Sequence, residues 1–298
     1  SPCKKPFPKS SAEWENKADG QAAFPLFAAR ERERVSGGNE MKEYEAEIIE
    51  NKKIAEGVHS LRFRLPEEAK TRAGQFANIS VGDSHLLRRP LAICKTEGRE
   101  ITVCFQIKGE GTKLLASMGA GTRLHVLMPL GNGFFVRENE RKVALVGGGV
   151  GIFPMISVIR EYAEEKQISA YMGFRTKAAV CGLEELRRAQ RLVAVTDDGS
   201  FGEKKNAVQA FETDLADPAL RPDVVLACGP LPMLRALKEA TKREGIPAFV
   251  SLEERMGCGI GACLVCNCKI AREDGSWTYK RVCKDGPVFL LREVMLDE

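Results

Sequence analysis

Four cysteines, Cys258, Cys263, Cys266 and Cys283, constrain this chain more than any other feature. The first three read C-x4-C-x2-C, and the fourth follows after sixteen intervening residues. The triplet lies in Met256-Gly-Cys-Gly-Ile-Gly-Ala-Cys-Leu-Val-Cys-Asn-Cys268, a run dominated by small residues. This is the spacing with which a loop wraps a [2Fe–2S] cluster while a returning strand delivers the fourth thiolate. Small residues between the ligands let the backbone close in and aim its N–H groups at sulfur. Such a cluster carries one electron at a time, so the spacing predicts a redox relay.

Two other uses of cysteine fit less well. Ten cysteines in an exported chain would suggest disulfides, but no apolar signal segment and no membrane-spanning run is present. The expected location is therefore the cytoplasm, where thiols stay reduced. A zinc site favours C-x2-C pairs, and only Cys263 and Cys266 have that step. Cys268 lies two residues beyond Cys266 and shares its face on an extended segment; it is expected to be a packed thiol, not a ligand. Cys3, Cys94, Cys104, Cys181 and Cys228 have no metal-like spacing, and most are expected to be buried. The formal charge of +4 over 298 residues is too small and too spread to suggest nucleic acid.

The order of segments predicts a multidomain α+β chain. Residues 1–40 hold three prolines in the first eight positions and the run Arg30-Glu-Arg-Glu-Arg34, and are expected to be a disordered extension. Met41 is the expected start of the folded part. Over 41–139 six short alternating segments, from Tyr44–Ile49 to Arg123–Leu127, predict an antiparallel β-barrel with one helix near Thr112–Met118. Over 140–246 apolar strands such as Val143–Val146 alternate with helical stretches, which predicts a doubly wound parallel α/β sheet. Residues 247–298 are expected to form a small cluster-binding domain.

Within this frame, several motifs carry chemistry. Gly147-Gly-Gly-Val-Gly-Ile-Phe-Pro154 follows an apolar strand and opens a helix, so Gly147, Gly148, Gly149 and Gly151 are candidates to approach a nucleotide phosphate. Cys228-Gly-Pro230 ends another apolar strand, which places Cys228, Gly229 and Pro230 at the same expected crevice. Thr196-Asp-Asp-Gly-Ser200 ends a third; Asp197 and Asp198 either contact nucleotide or simply make a turn. Arg175 stands where it would reach a 2′-phosphate or line an adenosine pocket. Arg89-Pro90 offers a guanidinium fork for a pyrophosphate, and Lys108-Gly-Glu-Gly-Thr-Lys113 offers backbone N–H groups at a helix start.

Taken in order, these motifs resemble the ferredoxin–NADP reductase superfamily carrying a C-terminal [2Fe–2S] domain. Residues 41–298 most resemble the electron-transfer subunits of class 1B dihydroorotate dehydrogenases, above all in Glu254–Cys263 and Tyr279–Phe289. The resemblance implies FAD in the barrel, contacted by Arg89, Pro90, Leu91 and Ala92, by Cys104, Phe105 and Gln106, and by Gly111 and Thr112. Ala92 replaces the usual small hydroxyl residue, and Phe105 and Gln106 stand where Tyr and Arg are usual. The resemblance further implies NAD in the sheet, with Cys228 beside the nicotinamide. It also implies an FMN-containing catalytic subunit as partner, in a heterotetramer of two plus two, serving pyrimidine (UMP) biosynthesis. A flavin subunit of an NADPH-dependent ferredoxin oxidoreductase or sulfide dehydrogenase shares the same modules. An iron–sulfur sensor without catalysis would not need the nucleotide motifs.

Overall fold

The structure, a computed structural model, describes residues 40–82 and 85–296. The expected extension lies outside the described residues up to position 39.

Six strands close an antiparallel barrel: β1 (Lys42–Ala55), β2 (Val58–Arg64), β3 (Phe76–Ile79), β4 (Arg89–Glu97), β5 (Glu100–Gln106) and β6 (Arg123–Leu130). Their order around the barrel is β1-β2-β5-β4-β3-β6. Alternation sets the faces: Tyr44, Ala46 and Ile48 turn inward while Glu43, Glu45 and Glu47 stay exposed. Ile48, Leu61, Phe63, Ile79, Ile101, Val103 and Val126 fill the interior. The barrel helix spans Glu110–Ser117.

After the barrel come β7 (Lys142–Gly148), β8 (Gln167–Phe174), β9 (Arg191–Thr196), β10 (Val224–Cys228), β11 (Ala248–Ser251), the hairpin β12 (Asn267–Ala271) and β13 (Trp277–Arg281), and β14 (Val288–Leu290). Six of these form one sheet in the order β14-β11-β10-β7-β8-β9, parallel throughout except for β14. Buried parallel strands read as unbroken apolar runs, and all of β10 and all but the first residue of β7 are buried. Helix Ile152–Tyr162 packs between this sheet and barrel strand β4, and helices Ala207–Leu215 and Leu231–Glu244 pack on each other and on the sheet.

The sheet draws two strands from the segment expected to form the cluster unit. β11 and β14 flank the cysteine loop, and Ser251 pairs with Val288. At four and three residues they are too short for periodicity to reveal them. Consequently one core joins all three regions: Phe76 and Leu130 from the barrel, Val146 and Ala227 from the sheet, Cys266 and Cys283 from the loop. No helix among the described residues is long and apolar enough to cross a membrane.

Candidate redox site

The cysteine loop presents its thiols in two pairs. Backbone N–H contacts link Cys258 with Cys263 and Cys283 with Cys266. A [2Fe–2S] cluster has two irons to share four thiolates between, and this four-thiol donor set fits it. Backbone N–H groups of Ile260, Ala262 and Cys263 donate to Cys258 Sγ at 3.5, 3.3 and 3.4 Å. The N–H of Cys258 donates to Cys263 Sγ, and that of Cys283 to Cys266 Sγ, each at 3.4 Å. Burial opposes ionisation of Cys258, but the N–H groups outweigh it and hold the thiol down at about 6. Cys263 is exposed and Cys258 half-buried, while Cys266 and Cys283 are buried. Cys268 belongs to neither pair: its thiol donates to the Lys280 carbonyl at 3.5 Å across the β12–β13 hairpin, and burial pushes it up to about 12.

Barrel and sheet face each other across a cleft of about 260 Å³, open to solvent. Arg89, Pro90, Leu91, Ala92, Cys104, Phe105, Gln106 and Thr112 line its barrel side; Val150, Phe153, Pro154 and Cys228 line the other; Met256 and Pro287 close the end next to the cysteine loop. Gly111 does not line the cleft but makes room for it: a Cβ there would collide with the Arg89 guanidinium, which lies across the helix start. The Thr112 hydroxyl accepts from the N–H groups of Lys108 and Gly109 at 2.9 and 3.1 Å and donates to the Gly109 carbonyl at 2.9 Å. It therefore shapes the turn. Cationic Arg89 and Lys108 at one part and the apolar Pro90, Ala92, Phe153 and Pro154 at another suit a dinucleotide with one flat ring and a pyrophosphate.

A second cavity of about 340 Å³ is lined by Gly148, Gly149, Gly229, Pro230, Arg175 and Cys181. Gln106, Lys108, Val150 and Glu253 line both spaces, so the two share a wall. Gly149 takes φ +56° with open space before it, a conformation that favours glycine. Gly147 and Gly151 are packing positions: a Cβ on Gly147 would meet Met172 at 2.7 Å, and one on Gly151 would strike the Cys228 carbonyl. The structure does not bring Asp197 and Asp198 to either cavity. Asp198 instead accepts from the Ser200 N–H and hydroxyl at 3.0 and 2.6 Å, closing a turn. Cys228 is buried at the end of β10; burial, then the nearby Glu253, push its thiol well up, against a Ser251 hydrogen bond. It is thus a neutral thiol at neutral pH.

One residue of this region is not evident from the motifs. Glu253 and Glu254 follow β11 after Leu252, and the carboxyl end of a parallel strand is where ligands collect. Without β11, nothing in the sequence marks Glu253, whereas Glu254 opens the motif that carries the family resemblance. Burial raises Glu254 above the usual carboxylate range.

The fold and site together define a flavin- and nicotinamide-linked reductase with an iron–sulfur loop spliced into its nucleotide sheet. Two protein-family models match: the iron–sulfur cluster binding domain of dihydroorotate dehydrogenase B over residues 253–295, and the oxidoreductase NAD-binding domain over residues 145–239. The dihydroorotate dehydrogenase B (NAD(+)) electron transfer subunit of Caldanaerobacter subterraneus subsp. tengcongensis is 38% identical over 250 residues, covering 84% of this chain and 97% of that one. The protein of the same description from Bacillus cereus (strain Q1) is 39% identical over 258 residues, with the same coverage. The chain belongs to this family of electron transfer subunits, and it is an oxidoreductase. Among solved structures, an NADH-dependent reduced ferredoxin-NADP oxidoreductase that performs flavin-based electron bifurcation superposes with a TM-score of 0.76 at 29% identity, over 88% of this chain and 92% of that one. A ferredoxin NADP+ reductase from Neisseria gonorrhoeae with bound FAD and NADP shares the fold, with a TM-score of 0.58 at 16% identity, over 70% of this chain and 93% of that one.

Proposed function

We propose that this chain moves electrons between NAD(H) and a partner catalytic subunit that oxidises dihydroorotate in pyrimidine (UMP) biosynthesis. Its cofactors are FAD, a [2Fe–2S] cluster and NAD. The observation that carries the reading is the shared end of the flavin cleft: Met256 and Pro287, which flank the cysteine loop, line the same space as Arg89–Ala92. Bound here, FAD supplies the exchange between two-electron hydride and one-electron chemistry, and the cluster supplies one-electron carriage.

The chain's residues divide the work. Arg89, held across Gly111, neutralises the FAD pyrophosphate; Pro90, Leu91 and Ala92, with Cys104, Phe105 and Gln106, form the wall against its ring. Gly148 and Gly149 admit the NAD phosphates, with Gly229 and Pro230 opposite, and Cys228 packs beside the nicotinamide at the mouth of the flavin cleft. Cys258, Cys263, Cys266 and Cys283 would hold the cluster through their thiolates. The partner carries FMN, and the assembly is a cytoplasmic heterotetramer of two relay and two catalytic chains.

Co-purification with the catalytic subunit, iron and flavin counts, and an assay of NAD+ reduction by dihydroorotate test this. Iron, FAD and activity together support it. A complex that holds both cofactors but reduces NAD+ only from reduced ferredoxin would favour the second reading, a ferredoxin oxidoreductase subunit, to which the 29% identical structure points.

A further inference from the structure

Asn78 is the one polar side chain in the folded region that is buried and wholly without a partner at both ends among the described residues. It is 1% exposed, and neither Nδ2 nor Oδ1 has a hydrogen-bond partner. A buried polar atom left unpaired is costly, and nearly all buried polar groups in proteins are paired. The polypeptide supplies nothing here, so the partner is expected to be a bound group.

Strand geometry places this amide. Along β3, Ala77 and Ile79 fill the barrel, so Phe76 and Asn78 face outward. Asn78 pairs with Pro90 and Phe76 with Ala92, and residues paired across antiparallel strands share a face. Asn78 therefore stands on the face that carries the flavin wall. It is covered by the cysteine loop: a Cβ built on Gly259 would lie 2.5 Å from Asn78 Nδ2 and 3.7 Å from Leu130. Gly259 adjoins Cys258, whose sulfur already gathers three backbone N–H groups. The amide thus lies directly beneath the loop residue that follows Cys258.

We propose that Asn78 is a positioning and tuning residue for the cluster, its amide N–H donating to a sulfur at the Cys258 edge. This rests on the cluster assignment above. Hydrogen bonds to sulfur stabilise the more negative, reduced cluster and raise its reduction potential. Lying between Pro90 and Gly259, the residue would set the downhill direction between flavin and cluster without carrying electrons itself.

The test compares Asn78→Val with Asn78→Thr, side chains of one shape that differ in a hydroxyl donor. Iron and FAD are counted, the cluster potential is read by EPR-monitored redox titration, and the FAD potential by absorbance. The expected result is a lower cluster potential in Asn78→Val, a smaller drop in Asn78→Thr, and an unmoved FAD couple. Equal cluster potentials in the two variants would overturn the proposal. So would a shift of the FAD couple alone, which assigns the amide to the flavin, or loss of iron from both variants, which makes it a packing residue. Wild-type protein that holds no iron would sink the cluster assignment itself, a separate and recognisable failure.

Discussion

Arg281 and Asp285 bracket Cys283 in a two-pronged ion pair, Nε to Oδ2 at 2.9 Å and Nη2 to Oδ1 at 3.1 Å. Asp285 Oδ2 also accepts the Arg281 N–H at 2.7 Å, and Arg281 Nη1 reaches the Gly261 carbonyl at 3.1 Å. The pair thus ties the turn bearing the fourth thiol to the loop bearing the first three. Asp285→Asn keeps the shape and removes the charge, which weakens this tie. Iron release to a chelator is expected to quicken about tenfold, with FAD content unchanged. A release rate equal to wild type would mean that the pair does not hold the loop.

Arg89→Ala removes the guanidinium that lies across Gly111. Loss of a charge-assisted contact of about 1.5–3 kcal/mol corresponds to FAD binding weaker by roughly tenfold to a hundredfold. Flavin retained by wild type through dialysis should be lost from the variant while iron remains. Equal retention would remove Arg89 from the site.

Cys228→Ala tests the thiol where the two cavities approach each other. Both cofactors should stay bound, because the residue touches the cleft only at its sheet edge. Stopped-flow reduction of FAD by NADH should slow. An unchanged rate would leave Cys228 as packing.

Ile260, Leu264 and Val265 are 43, 58 and 58% exposed beside the exposed Cys263. Leu264 also holds φ +60°, which is unfavourable for a side chain of its kind. An apolar group presented at such cost at the cluster edge suits a docking surface. Leu264→Asp should abolish NAD+ reduction by dihydroorotate in the assembled complex and spare NADH oxidation by an artificial dye. Survival of both activities would move the docking face elsewhere.

Glu185 accepts from Arg160 at 3.2 Å and from Lys95, joining the nucleotide region to barrel strand β4. Burial works against its charge, but Lys95 and Arg160 outweigh this and hold its carboxyl below the usual range. A depressed carboxyl stabilises the fold fully above its unfolded pKa, near 4.5, and loses that contribution as pH falls through the lower folded value. Glu185→Gln should therefore lower stability modestly at neutral pH, the effect reduced by solvent screening. In denaturant titrations the gap from wild type should shrink below about pH 4. A gap independent of pH would contradict the assignment.

How far the sequence discloses the site depends on how each residue works. Cys258, Cys263, Cys266 and Cys283 are legible because cluster chemistry fixes both residue type and spacing. Gly149, with φ +56° and open space before it, is the glycine of this run whose backbone conformation itself calls for glycine; Gly148 is close-packed against Met233 and Pro230. Gly147, Gly151 and Gly111 carry the same letter for another reason, close packing against Met172, the Cys228 carbonyl and Arg89; only three-dimensional neighbours separate the two uses. Asp197 and Asp198 sit at a strand end as ligands do, yet Asp198 turns its Oδ1 to Ser200. Asn78 is hidden for the opposite reason. An outward polar residue on a strand looks like solvent-facing alternation until Gly259 is found covering it. The strand β11 is too short to announce itself, and Glu253 is lost with it.

The pairing of Ser251 with Val288, one rung beside the hydrogen bond from Leu252 N–H to the Pro287 carbonyl at 2.9 Å, has a further consequence. The whole iron–sulfur segment leaves the sheet and returns to it on adjacent strands, its two ends about 5 Å apart. The segment is therefore clamped at both ends by sheet pairing while its residues Met256 and Pro287 still wall the flavin cleft. The chain is in this sense a two-electron flavin reductase with a one-electron outlet pinned to its rim at both ends, and a shift of the outlet is felt at once in the wall of the cleft beneath it.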